Sequence, residues 1–329
     1  RRKFHCGYSR KKGPRLSFRE PEPFQLRDAP VQPCEWPSDE FMIEAGFKDE
    51  FDTLVRNAGL EEFLSDKCEQ YAMLTASFVR RFKILAGHES SILFDLYDKS
   101  YTVDLEDFNR ICKIPDWASV NDPPKSSVRD FVSSITVGEI RDITQATIGS
   151  IHFPALHYFA LFIGRCINGK VEHCHLCASD LSILKSAVTG DRSFNMGAII
   201  ARRLTKNASE GDFFGGVYAT RLANFLGVSI CPEDPPIRTA YLDRVALTRY
   251  QFLERDHGSL LYRLIFNRQR VFHITLPAPT FFDFHVKRRY YITIGEAEEY
   301  EREATAPRLC EAAIQAVAAA LPYNPDYDF

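Results

Sequence analysis

The sequence predicts an α+β protein that is predominantly α-helical, with a small β-hairpin near residues 91–103 and room for a short C-terminal sheet. Three observations carry this. Apolar residues recur at three- and four-residue steps through most of the ordered stretches, the period of an amphipathic helix. Period-two alternation is confined to short stretches, residues 91–97 above all. Hydrophobic residues make up 45% of the 329-residue chain and aromatics 13%, with 26 Phe, which is enough apolar surface for a sizeable core.

Residues 1–40 read as a disordered tail. Arg1, Arg2, Lys3, Arg10, Lys11, Lys12, Arg15 and Arg19 all precede the first acid, Glu20, and a Pro-rich stretch follows. The main body, residues 41–230, begins under Ser38, which suits the N-cap of a helix over Asp39–Ala45. Helical spacing continues over 47–58 and 60–64, punctuated by Gly46 and Gly59. A longer helix is expected over 70–86, where Tyr71, Leu74, Phe78, Phe82 and Leu85 share a face and Gly87 provides the stop.

Alternation of Ile92, Phe94 and Leu96 with Leu93, Asp95 and Tyr97 then marks a strand, a turn over 98–100, and a returning strand over 101–103. Asp104 suits the N-cap of the next helix, with Asp107 at its N3 position, and Leu105, Phe108, Ile111 and Cys112 face inward until Pro115. Residues 131–151 are ambiguous. Helices are expected over 152–167, 178–187, 195–208 and 213–226, the last closed by Gly227. Residues 231–329 read as a helical extension. It contains a Pro-containing linker over 232–236, a helix over 239–254, strands over 270–276 and 289–294, an Ala-rich helix over 304–321, and a loose end.

Composition excludes several classes. A net charge of −3 is too close to neutral for the whole molecule to act as a polycation. No apolar run approaches the roughly 20 residues of a membrane-spanning helix. The basic start is not followed by the apolar segment of a secretory signal, so an intracellular protein, cytoplasmic or nuclear and not secreted, is expected. The nine cysteines show no framework spacing and are expected to be reduced. The first residue is Arg1 rather than Met, which reads as a fragment, a processed product or a translation missing its true start.

Candidate chemistry is sparse. Cys166, His173, Cys174, His175 and Cys177 are zinc-ligand types, but consecutive residues point to different sides of any regular element and cannot all converge on one ion. They read as a loop, and no metal or cofactor is assigned. Arg1, Arg2, Lys3, Arg10, Lys11 and Lys12 are the candidate nucleic-acid contacts, interleaved with Phe4, Tyr8 and Phe18 for stacking. The same basic residues suit a nuclear import address. Arg202, Arg203 and Lys206, and separately Lys287, Arg288 and Arg289, form smaller basic patches. No phosphate loop, dinucleotide fingerprint, nucleophile elbow, zinc-protease helix or kinase signature is present, so neither a small-molecule substrate nor catalysis is expected.

The segment YAMLTASFVRRFKILAGHESSILFDLYDKSYTVDLEDFNRICKIP, residues 71–115, resembles the first open reading frame of Athila-type plant retrotransposons, a gag-like family of the gypsy class. Further matching stretches are IGSIHFPALHYFALFIGRCINGK, LSILKSAVTG, FNMGAIIARRLTKNAS and GGVYATRLANFLGV, so the resemblance runs from about residue 70 to about 230. It implies a structural protein that self-associates and packages RNA, with no catalytic residues to carry over. The chain departs from that picture in lacking a retroviral-type zinc knuckle. The hairpin-and-helix element is also similar to part of the plant mobile domain, which would imply a nuclear protein-interaction module instead. An enzyme with a triad assembled from distant segments is the third alternative.

Overall fold

The computed structural model describes residues 31–85, 91–116, 126–136, 145–151, 153–170, 175–211, 213–255, 261–266, 269–275 and 282–283. Strands β1 (Val31–Gln32) and β2 (Glu35–Pro37) lead into α1 (Asp39–Ala45), α2 (Lys48–Asn57) and α3 (Glu61–Ser65). The Ser38 hydroxyl accepts from the Phe41 amide at 3.3 Å, and Gly46 closes α1 at φ 78°, so both ends of that helix lie where side-chain capping and glycine's freedom predict.

Strand β3 (Gln70–Tyr71) precedes α4 (Ala72–Arg81), which is shorter than the helix expected over 70–86. The chain leaves helical geometry at Phe82, and β4 (Lys83–Ile84) turns to pair with Leu93 and Ile92. Phe82 stays buried, so the apolar period is kept while the backbone exchanges helix partners for sheet partners.

Strands β5 (Ser91–Leu96) and β6 (Lys99–Asp104) form the expected antiparallel hairpin, in a sheet of order β4-β5-β6. Ile92, Phe94 and Leu96 point into the core. The Asp104 carboxylate accepts from the Asp107 amide at 2.7 Å and opens α5 (Leu105–Cys112), which Lys113 ends at φ 57°. Helix α6 (Ser126–Ile135) fills part of the stretch that sequence left ambiguous.

Helix α7 (Pro154–Phe162) runs into a π-helical turn over Ile163–Ile167, and every residue of both is buried. Then come α8 (Ala178–Thr189), α9 (Met196–Glu210), β7 (Phe213–Phe214) and α10 (Gly216–Phe225). The small residues at the start of α9 have a packing reason. A Cβ on Gly197 would lie 1.5 Å from Asn109 Oδ1 of α5, so only glycine permits that approach.

The helix expected over 239–254 is instead three elements: β9 (Ala240–Leu242), α11 (Arg244–Arg249) and β10 (Leu253–Arg255). β9 lies parallel to β2, and Asp243 caps α11 by accepting from the Val245 and Ala246 amides at 3.0 and 2.9 Å. Strands β11 (Leu261–Phe266), β12 (Gln269–Thr275) and β13 (Phe282–Asp283) extend β10 into a four-stranded antiparallel sheet, in which β12 answers the strand expected over 270–276. The architecture is α+β and helix-dominated, with several small sheets, as the sequence predicts. The strand expected over 289–294 and the helix over 304–321 lie outside the described residues.

Residues on both sides of the expected 41–230 body pack against it. Residues 31–37 were assigned to the tail, yet Cys34 and Trp36 are buried there and β1 and β2 pair with β7 and β9. At the other side of residue 230, Leu242, Leu247, Phe252 and Leu253 join the same hydrophobic cluster as α7 and α10. The reason is long-range pairing, which periodicity does not report. Tyr158 stands at the centre of it. Its hydroxyl accepts from the Ser38 amide at 2.9 Å and donates to the Leu242 carbonyl at 2.9 Å, while its ring packs on Phe41, Phe47, Phe51 and Phe252.

Candidate functional site

The basic residues singled out as nucleic-acid contacts, Arg1, Arg2, Lys3, Arg10, Lys11 and Lys12, lie outside the described residues, as do His173, Cys174 and the Lys287–Arg289 patch. The remaining members of the Cys/His group are drawn apart. Cys166 is buried in the π turn and paired with Cys34, their Cα atoms 4.4 Å apart across 132 residues of sequence. This corrects the expectation that every cysteine is reduced. The local cause is that β2 packs directly against that turn.

His175 and Cys177 instead belong to a loop closure. Lys170, buried, reaches back so that its ammonium donates to the His175 carbonyl at 3.0 Å and pairs with Asp180. The Asp180 carboxylate also accepts from the Cys177 amide at 2.8 Å, the Cys177 thiol at 2.9 Å and the Asn168 side chain at 2.9 Å. One carboxylate thus ties Asn168, Lys170 and Cys177 to the start of α8. Among the described residues, no group of three His, Cys, Asp or Glu side chains is placed to hold a metal ion.

Other candidates also resolve into structural partners. On α9 Lys206 pairs with Glu210 at 3.4 Å, and Arg202 and Arg203 are half-buried, so that patch is no open cationic face. Asp104 caps α5 and Asp107 binds Arg110. His157 is buried in α7 with its ring 4.7 Å from that of Phe252, and burial brings its pKa down from 6.5 to about 3, so it is neutral at physiological pH. His152 lies outside the described residues.

A surface cleft of about 370 Å³ opens between α2 and α3, lined by Asp39, Lys48, Phe51, Asp52, Arg56 and Glu61 among others. Its charges neutralise one another: Lys48 pairs with Asp52 and lies 3.6 Å from Asp39, and Arg56 lies 3.7 Å from Glu61. Ser65, also in the lining, donates its hydroxyl to the Glu62 carbonyl at 2.9 Å rather than to a carboxylate.

Two polar residues matter more than sequence reasoning foresaw. Arg221 of α10 is buried, and its guanidinium donates to the carbonyls of Cys112 (2.6 Å), Phe63 (2.8 Å) and Asp66 (2.6 Å) while lying over the Phe63 ring. It joins the ends of α3 and α5. Lys113 and Arg221 hold the Asp66 carboxyl below its usual pKa, Lys113 most strongly through a 2.8 Å bridge. The sequence signal was available: Arg221 sits on the apolar stripe of Val217, Tyr218 and Leu222, where a charge needs a buried partner.

Asp234 is the second. Its carboxylate accepts from the Met73 and Leu74 amides at 2.9 and 2.8 Å, capping α4 from 160 residues away, and from the Tyr97 hydroxyl at 3.2 Å. Tyr97 occupies the hairpin turn at φ 53°, an uncommon conformation for a non-glycine residue. It is held at both ends, its amide donating to Ser77 Oγ at 2.9 Å and its hydroxyl accepting from the Cys231 amide at 3.1 Å. Burial is the first cause, with the Asp234 charge adding to it, that pushes the Tyr97 phenol up to about 12. No local signal distinguishes Asp234 from any acid in a Pro-rich linker.

The ATHILA ORF-1 family model matches residues 19–192 of the chain. No curated protein and no solved structure matches it.

Proposed function

We propose that this chain, which belongs to the ATHILA ORF-1 family of Athila-type retrotransposon first-reading-frame proteins, is a non-catalytic assembly protein that self-associates and takes up RNA without sequence preference. Family membership over more than half of the chain is the observation that carries this reading. The disposition of the buried charges agrees with it. Arg221, Asp234 and the Lys170–Asp180 pair are bound to backbone groups or to each other, which makes them scaffold rather than reaction machinery. RNA contact falls to the basic segment, with Arg1, Arg2, Lys3, Arg10, Lys11 and Lys12 neutralising phosphates.

The test is light scattering after size exclusion, with and without single-stranded RNA, combined with RNA binding across a salt series. The expected result is a mass above the monomer and an affinity falling steeply with salt. The log–log slope should be about −4 if the six cations each release the counterion of one phosphate on a single strand. Replacing those six residues by Ala should flatten the slope towards zero while leaving the oligomer intact. A strictly monomeric chain with no RNA affinity at low salt would overturn the reading.

A further inference from the structure

The β4-β5-β6 sheet ends in an open strand. Among the described residues β6 pairs only with β5, and at six residues it is the longest strand at the edge of any of the sheets. The opposite edge, β4, has two residues. Edge strands are ordinarily shortened, bulged or broken by proline because their free amides and carbonyls template further pairing. β6 has neither bulge nor proline, and its two charges, Lys99 and Asp104, stand only at its ends. Its register with β5 runs unbroken from Leu96↔Lys99 to Ser91↔Asp104, and it contains no proline.

The two-residue turn fixes which groups face outward. Leu96 and Lys99 close the hairpin as a hydrogen-bonded pair, so alternation turns the amides and carbonyls of Ser100, Thr102 and Asp104 away from β5. The side chains of those three residues are exposed, whereas Tyr101 and Val103 are half-buried and pack on the core.

We propose that β6 is a self-pairing edge: two copies of the chain join β6 to β6, antiparallel, about a two-fold axis normal to the sheet, making one continuous six-stranded sheet. This rests on the assembly reading above and names its interface. The strand itself argues for a second copy as the occupant. A two-fold axis keeps paired side chains on the same face only when opposed residues are an even number of positions apart. The register centred on Thr102 sets Thr102 opposite its own copy, Ser100 opposite Asp104, and Tyr101 opposite Val103. The first and last are hydroxyl–hydroxyl and aromatic–β-branched pairs, each of a kind that stabilises a sheet, while the Ser100 hydroxyl stays donated to Asp95 at 2.6 Å and Asp104 stays the cap of α5. The neighbouring register, centred on Tyr101, opposes Asp98 to Asp104 twice and is penalised by like charge. The contact is isologous and closed.

The experiment uses the full chain. Thr102→Cys under mild oxidation should give a disulfide-linked dimer well above the background set by the native thiols, because the register opposes that position to itself. Ser209→Cys, exposed on α9, should stay at the background. Thr102→Lys, which opposes two like charges, should weaken self-association about tenfold or more, with unchanged circular dichroism and melting temperature showing that the fold is intact. A chain that self-associates but shows no cross-link above background with Thr102→Cys overturns the β6 interface and leaves the assembly reading standing. A chain that is monomeric at every concentration overturns both.

Discussion

In residues 91–114 most of the anchoring bonds are short-range, whereas residues 231–253, apart from the local bonds of α11 and its flanks, are anchored to the rest of the molecule by long-range ones. The hairpin closes through its own ladder, Asp104 caps the helix that follows it, and the Ile114 amide returns to the Asn109 carbonyl at 2.8 Å. The second region is held by other parts of the chain. Asp234 caps α4, β8 (Pro236–Ile237) pairs with β3, β9 pairs with β2, Arg244 binds Glu44, and Tyr250 donates to Glu35. Loop-closure entropy must be overcome before such contacts contribute. The first region is therefore expected to order early, and the second to close over a body already formed.

The largest effect should come from the one buried cation on which the local region depends. Arg221→Ala removes the donor to the Cys112, Phe63 and Asp66 carbonyls and leaves them buried with α3 and α5 no longer joined. A destabilisation of about 3–5 kcal/mol is expected by urea unfolding, in the range for breaking a buried charged network. A loss below about 1 kcal/mol would mean that the hairpin and α5 dock without it, a stronger form of self-sufficiency than the structure suggests.

The next effect tests the second region directly. Asp234→Ala removes the carboxylate that caps α4 and holds Tyr97, and should cost about 2 kcal/mol. Hydrogen exchange separates the regions: the Met73 and Leu74 amides should lose protection while the β5–β6 ladder keeps it. Equal loss of protection in the ladder would break the distinction. Tyr97→Phe should be less than additive with Asp234→Ala, because both variants remove the same hydroxyl–carboxylate bond.

The same contrast explains what could be read beforehand. Ser38 and Asp104 were legible as N-caps because a cap and its amide lie three residues apart, and each makes that bond. The hairpin was legible because period two and a turn are local. The fates of 31–37 and 239–254 were not, because β2 and β9 exist only as each other's partners, some 205 residues apart. Asp234 was unreadable for the same reason, since its partners on α4, the Met73 and Leu74 amides, lie 161 and 160 residues away. Arg221 was half legible: the apolar stripe announced a buried charge but not which carbonyls would receive it. In the Cys/His group, the pairing of Cys166 with Cys34 across 132 residues carried no sequence signal.

A pH dependence of about the same size as the Asp234→Ala effect is expected at the seam where the long-range region meets α7. His157 is buried against Phe252, and burial lowers its pKa to about 3 from 6.5. The unfolded chain therefore binds a proton on this ring more readily than the folded one. Its contribution to stability is complete above pH 6.5 and is lost progressively as pH falls towards 3. At pH 5 that loss is about 2 kcal/mol relative to pH 7. Most carboxylates titrate below this window, so His157 should dominate the slope between pH 6.5 and 5. His157→Gln should flatten that slope in urea midpoints, at the expense of some stability at pH 7. If the parent protein has the same midpoint at pH 7 and pH 5, protonated His157 is accommodated in the fold. The seam beneath Phe252 must then open readily enough to admit water, and the second region would be attached more loosely than its bonds suggest.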